Sequence, residues 1–180
     1  MAARSAPAVT AFPGRWVPGP ACENRLMRGS GEDQQADPVA AMQARVRASF
    51  ARQAMMATLG AELLSIERGR AELTLPRDER FTQQHGFVHA GAVAAVLDSA
   101  CGYAAFSVMP PEAAVLTASY TINLLAPAVG ERFRITGTVV RAGRTLVVCR
   151  GDAFTDGAVT PFAVMQATLT ALYDRPGVQH

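Results

Sequence analysis

Between Val88 and Pro111 the chain carries a single carboxylate, Asp98, in the middle of the apolar stretch "HAGAVAAVLDSACGYAAFSVM". An ionised carboxylate taken into a dry interior is costly unless it is paired or hydrogen-bonded, so Asp98 needs a dedicated partner or a wet cleft. Asp98 beside Ser99 would also suit the cap of a broken helix, but no proline or turn cluster marks a break there. His89 precedes Asp98 by nine residues. At roughly 100° per residue the two side chains point to opposite sides of a straight helix. A His–Asp pair within one chain is therefore disfavoured, and a site shared by two subunits is one way to bring such groups together.

The beginning of the same stretch has its own chemistry. The first N–H groups of a helix lack intrahelical acceptors and sit at the positive end of its dipole. The segment His89-Ala90-Gly91-Ala92 can thus receive an anion or a developing oxyanion. Oxyanion donors and a carboxylate are the minimal kit for hydrolysis of an acyl group. Cys101 with His89 would be a thiol alternative. Their twelve-residue spacing sets them about 120° apart on a helix, with no electropositive setting to activate the thiol, so a buried structural cysteine is expected. His85, His89 and Asp98 have no recognised ligand spacing and no cysteine pair beside them, so neither a metal nor another cofactor is expected.

The elements that must position these groups follow from periodicity. From Pro38 to Gly60, Val39, Met42, Val46, Phe50 and Met55 recur at near-helical spacing, with Arg45, Arg47 and Arg52 largely elsewhere, which predicts one amphipathic helix ending at Gly60. "AELLSIERGRAELTLP" reads as a hairpin turning at Gly69. The Asp98 stretch is long enough for a helix of about five turns, ended by Pro110 and Pro111. Its near lack of polar residues predicts a buried axle, and its many Ala and Gly residues would let strands approach closely. Four β-branched and apolar runs with Gly-bearing turns follow, the pattern of an antiparallel meander. The expected architecture is α+β, an antiparallel sheet wrapped around one long central helix.

Composition bounds the partners. With 17 Lys and Arg against 15 Asp and Glu, the 180-residue chain lacks the basic footprint of a nucleic-acid binder. Cys22, Cys101 and Cys149 are an odd number without CxxC spacing, which fits a reducing cytoplasm. Asp98 interrupts the longest apolar run, so no membrane span is expected. Residues 1–38, rich in Pro, Gly, Ala and Arg, read as a disordered N-terminal extension, or one that does not exist if translation starts at Met27 or Met42. "APAVTAF" is too short for the apolar core of a secretory signal. Residues 39–175 are expected to form one domain.

Taken in order, Gln83, Gly86, His89-Ala90-Gly91 and Asp98 resemble the hotdog-fold acyl-CoA thioesterases, specifically the PaaI-like (phenylacetic acid degradation) branch. The likeness covers about residues 55–173 and includes "LLAPA" at Leu124–Ala128 and "RAGRTL" at Arg141–Leu146. It implies a hotdog fold, a homodimer or homotetramer, and hydrolysis of an acyl-CoA or aryl-CoA thioester at a site shared between subunits. The Ala90 N–H would polarise the thioester carbonyl, and Asp98 of the facing subunit would act as nucleophile or general base. Gln83 would hold the carbonyl or the water, and Thr117 would orient water. His89, Gly86 and Gly91 would shape the turn, and Arg141, Arg144 and Arg150 would meet the phosphates of coenzyme A. Ala90 and Gln83 depart from the usual Gly and Asn, and Gly102 stands where some relatives carry Thr. The rival expectation is a hotdog protein that binds acyl-CoA as a sensor without turning it over.

Overall fold

The computed structural model describes residues 37–173, so the N-terminal extension, apart from Asp37 and Pro38, lies outside the described residues. The chain opens with α1 (Pro38–Phe50), capped by the Asp37 carboxylate, which accepts a hydrogen bond from the Val39 N–H at 3.0 Å. A short α2 (Ala54–Leu59) follows and stops at Gly60, whose φ of 68° is left-handed. The single helix expected over this span is thus two, broken at Ala51–Gln53, where no proline or glycine calls for a break. Of the five apolar positions, Val46 is buried and Met42 and Phe50 partly so, whereas Val39 and Met55 are exposed.

Strands β1 (Glu62–Glu67) and β2 (Arg70–Pro76) form the expected hairpin, with Gly69 at φ 82°. After a loop comes the central helix α3 (Ala90–Phe106), then β3 (Ala114–Leu124), β4 (Arg132–Ala142), β5 (Leu146–Thr155) and β6 (Ala163–Leu172). All pairings are antiparallel and the sheet order is β1-β2-β4-β5-β6-β3. Only β4, β5 and β6 form a meander. β3 passes over the others to pair with β6 and becomes the far edge, which corrects the simple succession expected from the turn spacing.

The strands show the period of two that a sheet covered on one face requires. On β5, Val147, Cys149, Gly151 and Ala153 are buried, and on β6 so are Ala163, Met165, Ala167, Leu169 and Ala171. This face receives α3. The closest approach is at Gly137 of β4, where an added Cβ would lie 2.2 Å from the Ala100 carbonyl oxygen and 2.6 Å from the Cys101 nitrogen. Its cross-strand partner Gly151 sits under Cys101 and Leu97. The helix backbone rests on Gly137, and the Leu97 and Cys101 side chains on Gly151.

Ten of the 17 residues of α3 are buried, but Gly91, Ala95, Asp98 and Gly102, spaced three or four apart, share a flank that the chain leaves partly open. The axle is enclosed on most of its circumference rather than all of it. At its C-terminal end the Arg45 guanidinium donates to the carbonyls of Phe106 (2.9 Å), Met109 (3.0 Å) and Pro110 (2.8 Å) and stacks over the Phe106 ring at 4.2 Å. A residue expected on the solvent face of α1 therefore satisfies carbonyls at the negative end of α3. Arg45→Met keeps the aliphatic stem and removes the donors. It is expected to cost about 2–3 kcal/mol, read as a lowered midpoint in thermal unfolding; an unchanged midpoint would mean that water replaces the guanidinium at no cost.

Candidate active site

The loop before α3 is folded by its own backbone. Gln83 N–H donates to the Phe87 carbonyl (2.8 Å), Gly86 N–H to the Gln83 carbonyl (2.9 Å), and His89 N–H to the Phe81 carbonyl (2.8 Å). Gly86 takes φ 82° at the tip, where a side chain would strain the turn. His89 is the N-cap of α3, its Nδ1 accepting the Gly91 N–H at 2.9 Å. That bond requires an unprotonated Nδ1. A Cβ at residue 91 would lie 3.1 Å from this nitrogen, which is why a glycine follows the cap so closely.

Ala90 is the first residue of the helix and has helical backbone, so the turn does not need a glycine there. With the Gly91 N–H occupied by His89, the Ala90 N–H remains as a first-turn donor with no acceptor among the described residues. Gln83 and Ala90 line one hollow of about 510 Å³ together with Phe87, Val93, Leu124–Ala128 and Phe162. The Gln83 Oε1 accepts from the His85 N–H, which leaves its amide N–H groups for other partners.

Asp98 lies elsewhere. It shares a hollow of about 290 Å³ with Gln53, Ser99, Gly102, Tyr103, Val115, Leu116 and Thr117. Its Oδ1 accepts the Thr117 hydroxyl at 2.7 Å, and Oδ2 has no partner among the described residues. Thr117 faces α3 immediately before a register shift between Thr117 and Ser119 on β3, the kind of irregularity that re-aims a side chain. Burial raises the Asp98 pKa above the ordinary carboxylate range, and the Thr117 hydrogen bond only partly offsets it. A carboxylate so placed is a stronger base than a free one.

The structure therefore brings Gln83 and Ala90 together, and Asp98 and Thr117 together, but not the two pairs. Asp98 lies eight positions after Ala90 on the helix, about 12 Å along the axis. None of the three arginines lines either hollow. Arg141 and Arg144 are exposed at the β4–β5 turn, and Arg150, on the sheet face away from α3, makes a forked ion pair with Asp152 at 2.8–3.0 Å. Cys101 and Cys149 are buried, and burial pushes both thiols up, Cys149 to about 12, which removes them as nucleophiles.

Sequence reasoning missed Gln53 and its contacts. Gln53 reads as one more polar residue on an amphipathic helix, and only the break between α1 and α2 turns it toward α3. Its Oε1 accepts the Ser99 hydroxyl at 3.2 Å.

Among the described residues no helix is long and apolar enough to cross a membrane. The family model for the thioesterase superfamily matches residues 85–161. A Saccharolobus solfataricus protein named as an esterase is 34% identical over 90 residues, which are 50% of this chain and 64% of that protein, so the match spans less than two thirds of that relative. The crystal structure of a thioesterase family protein from Silicibacter pomeroyi is 55% identical with a TM-score of 0.71, covering 73% of this chain and 98% of that one. The PaaI protein of the E. coli phenylacetic acid degradation operon shares the fold, with a TM-score of 0.69 at 19% identity, over 76% of this chain and 96% of that one.

Proposed function

Since the chain belongs to the thioesterase superfamily, we propose that it hydrolyses acyl-CoA or aryl-CoA thioesters at a site built from two copies of itself. The observation that carries this reading is the split of the chemistry. A carbonyl held by the Ala90 N–H cannot reach the Asp98 carboxylate about 12 Å away along the same helix. A second copy removes the difficulty if it brings its open flank of α3, with Asp98 and Thr117, against the Gln83–Ala90 hollow. The β3 edge supports such pairing. Among the described residues it has no strand neighbour on its outer side, and Leu116, Tyr120 and Leu124 are about half exposed along it.

In the reaction the Ala90 N–H and the Gln83 amide hold the thioester oxygen as negative charge grows on it. Asp98 of the facing copy either takes a proton from water as the water oxygen bonds the carbonyl carbon, or attacks that carbon itself to form an anhydride that water then opens. Both routes break the carbon–sulfur bond, return a proton to the departing thiolate, and yield the free acid and coenzyme A. Arg141 and Arg144 are the exposed cations offered to its phosphates; Arg150 is already engaged by Asp152. The order of Gln83, Gly86, His89-Ala90-Gly91 and Asp98 supports the PaaI-like branch and a homodimer or homotetramer, and three cysteines without CxxC spacing support a cytoplasmic setting.

The test is release of free thiol from a panel of short-chain, long-chain and aromatic acyl-CoA thioesters. Turnover establishes the hydrolase; tight binding of acyl-CoA without thiol release from any member means a sensor instead. Subunit sharing has its own outcome. Gln83→Ala and Asp98→Asn chains, each inactive alone, should recover about one quarter of wild-type sites when subunits exchange at random in a two-fold dimer. No recovery despite proven exchange sinks the shared site.

A further inference from the structure

The Asp98 hollow has two unlike walls, an apolar one of Val115 and Leu116 and a polar one of Gln53, Ser99 and Tyr103. Gln53 occupies the N-cap of α2, a position whose side chain commonly bonds the amides of its own first turn. It makes no such bond. Its side chain turns instead to α3, where Oε1 accepts from Ser99 and the amide hydrogen-bonds the Tyr103 hydroxyl, itself 3.5 Å from the Ser49 Oγ. Beside this wall the hollow is open at Gly102, where an added Cβ would meet nothing within 4 Å.

Resting on the thioester-hydrolase reading, we propose that Gln53 is a specificity-determining residue, whose amide hydrogen-bonds a hydroxyl or keto oxygen on a short acyl group. For Asp98 to take part in cleavage, the thioester carbon must come to its carboxylate, which brings the first atoms of the acyl group into this hollow. A glutamine amide offers two N–H donors and two acceptor lone pairs. Ser99 and Tyr103 take one of each, which leaves a donor and a lone pair for the hollow. An acyl group with an oxygen a few atoms from the carbonyl satisfies them, while a plain hydrocarbon of equal length strips their water and returns nothing. Gln53 is brought to this hollow by the α1–α2 break, so the selection depends on that break.

The experiment compares kcat/KM for 3-hydroxybutyryl-CoA and butyryl-CoA in the full chain, in Gln53→Leu and in Ser99→Ala, with thermal melting of each. The wild type should prefer the hydroxyacyl substrate by at least about tenfold. Gln53→Leu should bring the ratio close to one, and Ser99→Ala, which removes only a hydroxyl, should move it the same way by less. A wild-type ratio near one, an unchanged ratio in Gln53→Leu, or an equal loss on both substrates overturns the proposal; equal loss means that Gln53 contacts the thiol arm or only supports the fold. A chain that cleaves other thioesters but neither of these overturns this inference alone. A chain that releases thiol from no thioester overturns the hydrolase reading and this inference with it.

Discussion

Replacing Asp98 with Asn is expected to lower kcat/KM by about 10³-fold and, at neutral pH, to leave the melting temperature unchanged or raised. The two halves of the expectation have one cause. Burial holds the Asp98 pKa above the ordinary carboxylate range, so the folded chain resists the charge that the chemistry uses. A group whose pKa is raised on folding binds more protons in the folded state, so stability falls as pH rises from the ordinary carboxylate pKa through the raised one. Above that window the cost is present in full. Asn keeps an oxygen to accept the Thr117 hydroxyl and carries no charge, so it removes the cost together with the base. The same reasoning fixes the wild-type pH profile. kcat/KM should rise with pH through an apparent pKa above the usual carboxylate value, then level off. Measured kcat/KM and melting curves between pH 4 and 8, pH values chosen to bracket about the carboxylate range, check both halves. An Asn variant that keeps full turnover takes Asp98 out of the mechanism, whatever its stability.

Gly137→Ala is expected to destabilise the fold by about 3 kcal/mol or more, and to move much of the protein into the insoluble fraction on expression. A single methyl group seldom has such an effect. Here it would be placed 2.2 Å from the Ala100 carbonyl oxygen, 2.3 Å from its carbon and 2.6 Å from the Cys101 nitrogen, all backbone atoms in the middle of α3. No rotamer change relieves such a contact, and the C-terminal end of the helix is tied down by the Arg45 bonds. Gly151→Ala is the control across the strand pair. Its Cβ would meet the Cys101 Sγ and the Leu97 Cδ2 at 3.0 Å, side-chain atoms that can give way. A Gly137→Ala chain that melts with Gly151→Ala, close to wild type, would show that α3 can lift from the sheet at little cost.

Much of this architecture is legible in the sequence because its periodicities are local. The alternation on β5 and β6, the left-handed turn at Gly69 and the long apolar run around Asp98 each announce an element without reference to the rest. What escapes is set by tertiary contact. No residue in Ala51–Gln53 forbids a helix, so the break there comes from packing against α3. Turn spacing says nothing of the partner a strand will choose, so the placement of β3 beside β6 is invisible until the sheet is assembled. Arg45 looks solvated because helical periodicity sees one helix at a time, whereas the carbonyls it satisfies are more than sixty residues away. For the candidate site, the type and spacing of His89, Ala90 and Asp98 make clear that they serve different faces. The hydrogen bond from Thr117, by contrast, depends on a register shift in β3 that no pattern of residue types marks.

The placement of β3 also bears on how the chain is born. Every backbone partner of Ala114–Leu124 lies in Ala163–Leu172, the last strand described. At a synthesis rate of about 5–20 residues per second, roughly forty to sixty intervening residues keep β3 waiting for some 2 to 12 s. During that time β4 and β5 can pair with each other and with the β1–β2 hairpin, while β3, with Leu116, Tyr120 and Leu124 along it, remains a bare strand on both sides. Ribosome stalling or early release within that interval would leave a sticky, half-made sheet, which makes β3 the segment most in need of a chaperone.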